Sequence, residues 1–358
     1  MKIFLHGKKD GVALIIVMIA VLVMAALAGG FAYSMKVEMK LARNSYNEVE
    51  LQWLGRSGVE LARYVLGQQL GIPNEPYDSL NQKWAGGPGG MAGTNSVLSN
   101  ISLEDNLLGN GKYSVKITDL ERKLNVNMVK DSQGVFEQAL AKLGFQDAPS
   151  IVACITDWTD RDDLTSVNGG AENDYYHGLS PAYDAKNGPI DDLSELLLIR
   201  GISSEMYWGT SSTNYRLAAF QAQQVDAFGR STAPTYPIGL GEIFTPVSMG
   251  KVNINTASQT VLSLIVDENI ASEIIRLRSG PDGADGTEDD TPLRNPGELV
   301  NVGINRQMVQ SLSRIFDVRS KTFEVQVDAE VSGYKRTFIA ILGRNNARDI
   351  QVLRFYWK

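Results

Sequence analysis

Residues 12–35 read VALIIVMIAVLVMAALAGGFAYSM, an uncharged run that ends at Lys36. As a helix rising about 1.5 Å per residue it reaches across the roughly 30 Å hydrocarbon core of a bilayer. A cleaved secretory signal has a shorter apolar region of ~7–15 residues ending in small residues. Ala28, Gly29 and Gly30 offer such a site, but the run is longer than such a signal and reads better as a retained anchor. Lys2, Lys8 and Lys9 precede it and place the N-terminus in the cytoplasm, with the rest of the chain outside the membrane.

The helical pattern continues through KVEMKLARNSYNEVELQWLGRSGVELARYVLGQQL, residues 36–70. Leu54, Gly58, Leu61, Ala62 and Val65 fall on one stripe, with Arg56, Glu60 and Arg63 elsewhere around the wheel. No proline interrupts before Pro73. The expectation is one helix from Val12 to about Leu66, apolar in its first half and amphipathic in its second. Gly55 and Gly58 lower helix propensity and suggest bending.

Beyond the helix, residues 71–96 are rich in glycine, proline and asparagine and read as a loop. GKYSVKITDL (111–120) alternates Tyr113, Val115 and Ile117 with polar residues, a half-buried strand. The C-terminus alternates Phe323, Val325, Val327, Ala329 and Val331, turns at Ser332–Gly333 and runs twice more, an antiparallel meander. Between these stretches lies a block that reads as mostly helical. The fold class is therefore α+β. Residues 36–123 and 317–358 would form an α/β body, and 124–316 an inserted helical domain.

The chain has 358 residues, 43% of them hydrophobic, enough for substantial cores. A net charge of −7 argues against a nucleic-acid partner. The single Cys154 cannot form an internal disulfide and reads as a small buried hydrophobe. One phrase, KVNINTASQTVLSLIVDENIASEIIRLRSG (251–280), has the outline of a helix-hairpin-helix, with Thr256 as a helix cap. Its hairpin carries Asp267 and Glu268 where a phosphate cradle needs bare amides, so the scaffold lacks DNA chemistry.

Two acidic phrases invite a metal reading. The first holds Asp157, Asp160, Asp162, Asp163, Glu172, Asp174, Asp191 and Asp192. Such a cluster suits Ca²⁺, which takes six to eight oxygen ligands, but also helix caps and salt links, and least well an acid/base pair. The second holds Asp282, Asp285, Glu288, Asp289 and Asp290 among glycines, without the EF-hand order. A loose calcium loop and a solvated turn remain open there. The candidate ligands are Asp157 and Asp160 in the first phrase and Asp282, Asp285, Asp289 and Asp290 in the second. His177 is the sole histidine beyond the leader, which disfavours a histidine-rich transition-metal site.

The leader ending in Gly11, the apolar segment from Val12, LNVN, ITDWTDRDD, GAENDYY, DDLSELLLIRGI and VNINTAS together resemble the general secretion pathway protein K family, the minor pseudopilins of type II secretion systems. The likeness runs over nearly the whole chain. It implies cleavage of the leader (1–11) by prepilin peptidase after Gly11 and N-methylation of Val12. It further implies a membrane half of the helix over 12–35, a pilin-like fold carrying a helical insertion, and calcium in the globular part. The implied partners are other minor pseudopilins, the major pseudopilin and the inner membrane.

Most pilin-like subunits carry a glutamate five residues into the mature chain; here that position is Ile16. A carboxylate within lipid is costly unless paired. An uncharged residue suits a subunit with no neighbour above it, as at a tip. The expected role is structural, initiating or capping a pseudopilus. A type IV pilus minor pilin would share the leader and helix. A membrane-anchored periplasmic hydrolase would need a nucleophile or metal site for which no usual motif is present.

Overall fold

The computed structural model describes residues 10–90, 97–210 and 236–358, with side chains from residue 12. The leader up to residue 9, residues 91–96 of the expected loop and 211–235 of the expected helical block lie outside the described residues.

Helix α1 runs unbroken over Asp10–Gln69, and residues 12–46 are exposed along its whole circumference. From Asn47 onward one face turns inward: Leu51, Leu54, Ala62, Val65 and Leu66 are each at most 3% exposed. The face is covered by an antiparallel sheet. Its strands are β1 (Asn106–Leu108), β2 (Gly111–Asp119), β3 (Thr322–Val331), β4 (Tyr334–Arg344) and β5 (Ile350–Trp357), adjacent in that order. Val115 pairs with Val327 and Val327 with Phe338, so inward residues of three strands line up under the helix. The expected strand and meander are all present. β1 was not anticipated, because three residues are too few to show a period.

Gly55 and Gly58 do not interrupt α1. A Cβ on Gly58 would stand 2.4 Å from Val327 Cγ1, and one on Gly55 would stand 2.5 Å from Phe338. They are glycine because helix and sheet backbones approach closely there. The loop after α1 also differs from a solvated linker. Glu75, Tyr77, Asp78, Ser79, Asn81, Gln82 and Trp84 are all at most 2% exposed. Glu75 Oε2 accepts from Gln69 Nε2 at 2.7 Å and Gln82 Nε2 at 2.8 Å, so polar residues there fold into their own network.

Buried apolar side chains form two clusters. One joins α1, Trp84 and the sheet; the other runs from Leu124 to Val318 with Tyr77 added. The second cluster contains α2 (Gln133–Lys142), α3 (Ala148–Thr159), α4 (Gln259–Ile265), α5 (Glu268–Arg278) and α6 (Arg306–Leu312), none longer than 12 residues. Single turns and 3₁₀ segments such as Leu193–Leu198 separate them, so the block is less helical than its sequence suggests.

The two clusters meet at a buried polar junction. Asp119 Oδ2 accepts from Thr256 Oγ1 at 2.5 Å, Ser320 Oγ at 2.6 Å and Asn253 Nδ2 at 3.2 Å. Arg344 pairs with Asp78, both fully enclosed. Glu121 accepts from the backbone N–H groups of Lys321 and Met249 and from the Thr322 hydroxyl. Burial first, then Asp119, pushes the Glu121 carboxyl up to about 8. Thr256 is therefore no helix cap. Ser258 caps α4, accepting from the Val261 N–H, because the Thr256 hydroxyl is committed to Asp119.

Candidate cation site and assembly surfaces

Helix α3 builds one wall of the acidic site. Its apolar face packs inward through Ile151, Val152, Ile155 and Trp158, which buries Asp157 and carries the chain out at Asp160. Asp157 accepts from Ser166 through its N–H at 3.1 Å and its hydroxyl at 2.5 Å. Gly170 lies so near that a Cβ would stand 1.9 Å from Asp157 Oδ2. The chain must be glycine there to bring Glu172 back beside α3.

Asp160, Asp162 and Glu172 each offer a carboxylate oxygen within 4.8 Å of the others. Glu172 is 3% exposed, and neither of its oxygens has a hydrogen-bond partner; Asp160 Oδ1 also has none. Lys130 stands 3.9 Å from Asp160 and is mostly in solvent. Burial, then the charges of Asp157 and Asp160, push Glu172 up to about 7. Asp160 is raised as well, by burial and then by Asp162. Close carboxylates with empty lone pairs are a donor set for a hard, oxygen-loving divalent cation. Asp163 closes the neighbouring turn, accepting from Asn173 Nδ2 at 2.9 Å and Asn187 Nδ2 at 3.0 Å, while the buried Asn187 Oδ1 is unpartnered.

Of the two residues expected here, Asp160 joins the cluster, whereas Asp157 supports it from behind through Ser166. Asp162 and Glu172 complete it. The alternation of signals around GAENDYY gave no way to single out Glu172; its weight comes from burial, which only the fold shows.

The second acidic phrase is arranged differently. Asp285 accepts from Arg278 Nε at 3.0 Å and Nη2 at 2.6 Å, and from Ser279 Oγ at 2.7 Å. Arg278 holds its carboxyl below the usual range despite the burial that opposes this. Asp282 caps the Ala284 N–H, Asp289 the Asp282 N–H and Asp290 the Gly286 N–H. These four carboxylates are answered by protein donors, and the four do not converge on one point. Asp192 caps the 3₁₀ turn Leu193–Leu198 with Glu195 in a reciprocal capping box, while Asp191 pairs with Lys186 and Arg354. His177 pairs with Asp184 at the surface, and Cys154 is buried with its thiol pushed up to about 11.

Three comparisons bear on this arrangement. A family model described as type II secretion system, protein K, matches residues 122–209, the stretch that holds the carboxylate cluster and the capping box. The type II secretion system protein K of Pseudomonas aeruginosa is 25% identical over 96% of this chain and 92% of its own length. Its Aeromonas hydrophila counterpart is 23% identical over 97% and 96%. Over nearly its whole length the chain is similar to type II secretion system protein K. The fold agrees with a chain in the GspK–GspI–GspJ complex of enterotoxigenic Escherichia coli, at a TM-score of 0.63 and 18% identity, covering 88% of this chain and 99% of that one. Helix α1 supplies two surfaces: the bare apolar rod over 12–35, and beyond it Tyr46, Val49, Trp53 and Tyr64, 49–62% exposed on the side turned from the sheet.

Proposed function

We propose that this chain is a minor pseudopilin that sits at the tip of a type II secretion pseudopilus and initiates or caps its assembly for protein export. The observation that carries the reading is α1: one 60-residue helix, bare and apolar where it would cross lipid, clamped at its other end to an antiparallel sheet. A helix in lipid gains nothing from burying apolar surface against another helix, so the rod exchanges lipid for sibling rods at small cost. The exposed aromatic side beyond the membrane continues that contact in the periplasm. The acidic body over 124–316 would widen the subunit beyond what a filament shaft packs, which suits an end position.

Prepilin peptidase would cut after Gly11, and Val12 would become the methylated N-terminus. Ile16 would need no amine from a subunit above. The domain division of this proposal is leader 1–11, membrane half 12–35, pilin-like body 36–123 with 317–358, and insertion 124–316. Partners are the other minor pseudopilins and the major pseudopilin, and the head lies in the periplasm with the helix in the inner membrane. No catalytic step is assigned. Calcium would be held by Asp160, Asp162 and Glu172, with Asp157 positioning the turn. The phrase at Asp282, Asp285, Asp289 and Asp290 stays outside the proposal because its oxygens already have donors.

Mass spectrometry of the mature N-terminal peptide tests the processing: a chain beginning at methylated Val12 is expected, and one beginning beyond Gly30 would end the assembly reading. Labelling Ile16→Glu and the unchanged protein in isolated filaments tests the position. The unchanged chain should mark filament ends only, and its presence along the shaft would contradict a tip role.

A further inference from the structure

The stretch of α1 between the apolar run and the sheet carries Lys36, Glu38, Lys40 and Arg43 as its charged residues before Glu48. Tyr33, Lys36, Lys40 and Arg43 follow one another at spacings of three, four and three, which puts them on one helix face. Glu38, two residues from Lys36, points to the opposite side. All four residues of the stripe are exposed, and Lys36, Lys40 and Arg43 have no carboxylate partner among the described residues. Continuing the same spacing leads to Asn47, Leu51, Leu54 and Gly58, the face against the sheet. The cationic stripe therefore lies directly beneath the head.

The end of the head that overhangs this stripe is fixed by three contacts. Tyr334 Oη donates to Asn44 at 2.9 Å, Arg336 pairs with Glu48, and the Asn110 N–H donates to Glu50 at 3.1 Å. The β1–β2 and β3–β4 turns are thus the membrane-proximal edge. That edge exposes Leu107 (84%), Leu108 (48%) and Tyr334 (48%), with Trp357 (61%) farther up the sheet on the next strand, opposite Phe338. Apolar tips and interfacial aromatics above a cationic stripe make the composition of a surface that rests on lipid headgroups.

We infer that the chain, while still anchored, lies with this underside against anionic phospholipid, the stripe binding headgroup phosphates and the Leu107–Leu108 tip entering the interface. Charge and continuity with the apolar run point to lipid as the occupant. Arg43 lies eight residues, about 12 Å, past the end of the apolar run, and the headgroup layer of one leaflet is about 5–7 Å deep. The stripe therefore crosses that layer, and the head edge, held at Asn44 to Glu50 about 13–22 Å past the run, approaches it at a tilt near the ~40° upper end of the usual range. Release of this contact would then be a step in leaving the membrane for a filament. The inference rests on the anchor reading of Val12–Met35.

The test uses the full chain in vesicles of zwitterionic lipid, with or without phosphatidylglycerol, in a Cys154→Ala background carrying a spin label at Leu107→Cys. A nickel-chelating lipid reports contact of the label with the headgroup layer. Phosphatidylglycerol should raise the nickel effect about threefold, and 0.5 M salt or the triple change Lys36→Gln, Lys40→Gln, Arg43→Gln should abolish the rise. Alkaline carbonate extraction, run on every sample, should leave the wild-type and triple-variant chains in the membrane. Equal nickel effects in both lipids, or a rise that survives the triple change, would overturn the inference while leaving the anchor intact. Extraction by carbonate would instead overturn the anchor reading, and the inference with it.

Discussion

Two groups of crowded carboxylates, one buried and one half-buried, sit in this chain under opposite terms. At the junction between the two cores, Asp119 and Glu121 are surrounded by donors: hydroxyls of Thr256, Ser320 and Thr322, the Asn253 amide, and backbone N–H groups. At the end of α3, Asp160 and Glu172 are as crowded, yet three of their four oxygens meet no donor. A protein builds the first kind of site to be complete by itself. The second kind leaves carboxylate oxygens open to a cation. The same division runs through the whole chain: residues 124–316 hold 25 Asp and Glu against 13 Lys and Arg, and the remainder holds 16 against 21. The cluster at the end of α3 lies within the acidic stretch.

That contrast can be broken hardest at the junction. Arg344→Met leaves Asp78 buried without its partner and should cost about 3–5 kcal/mol in denaturant unfolding of the detergent-solubilised chain. Adding Asp78→Asn should recover much of the loss, since the penalty lies in the stranded charge. Calcium should leave both values unchanged. Next in size, Gly58→Ala forces a methyl into Val327 and should cost about 1–3 kcal/mol, again without regard to calcium.

The acidic site should respond to pH and to the metal. An acid whose folded pKa is raised binds protons more tightly when folded, so its contribution to stability falls as pH rises from the unfolded value through the folded one. Glu172 moves from 4.5 to about 7 and Glu121 from 4.5 to about 8. In chelator, therefore, the melting temperature should fall between pH 5 and pH 8. Glu172→Gln should flatten the lower part of that slope and raise stability at pH 7.5 by about 1 kcal/mol, while leaving the part that belongs to Glu121. With calcium present, wild-type melting should rise at pH 7.5 and the variant should not respond. The smallest effect is expected from Asp282→Asn with Asp289→Asn, which should not alter the calcium response, because those oxygens serve backbone N–H groups of their own loop.

Much of the α1–sheet body could be read in advance. Twenty-four uncharged residues and strict alternation from Phe323 to Val331 leave few alternatives. What stayed hidden depends on distance in space. Gly55 and Gly58 look like helix weaknesses until Phe338 and Val327 are set against them. Thr256 looks like a cap until Asp119, 137 residues away, claims its hydroxyl. The loop at 71–90 has a turn composition, yet Glu75 and Gln82 are buried because they bond each other, and Asp78 because Arg344 and the Ser320 N–H answer it. In the acidic site density of charge points to Asp157 and Asp160 together and does not separate the one in the cluster from the one behind it. Glu172 could not, because a sequence lists carboxylates without saying which ones lack donors.

The most direct trial of this contrast is a calorimetric titration of the metal-free, full-length chain with calcium, alongside Glu172→Gln. Saturable heat in the wild type, absent in the variant, is the result the unanswered carboxylates predict. No heat at millimolar calcium, or heat that persists in Glu172→Gln, would show that the site at the end of α3 stands complete without a cation.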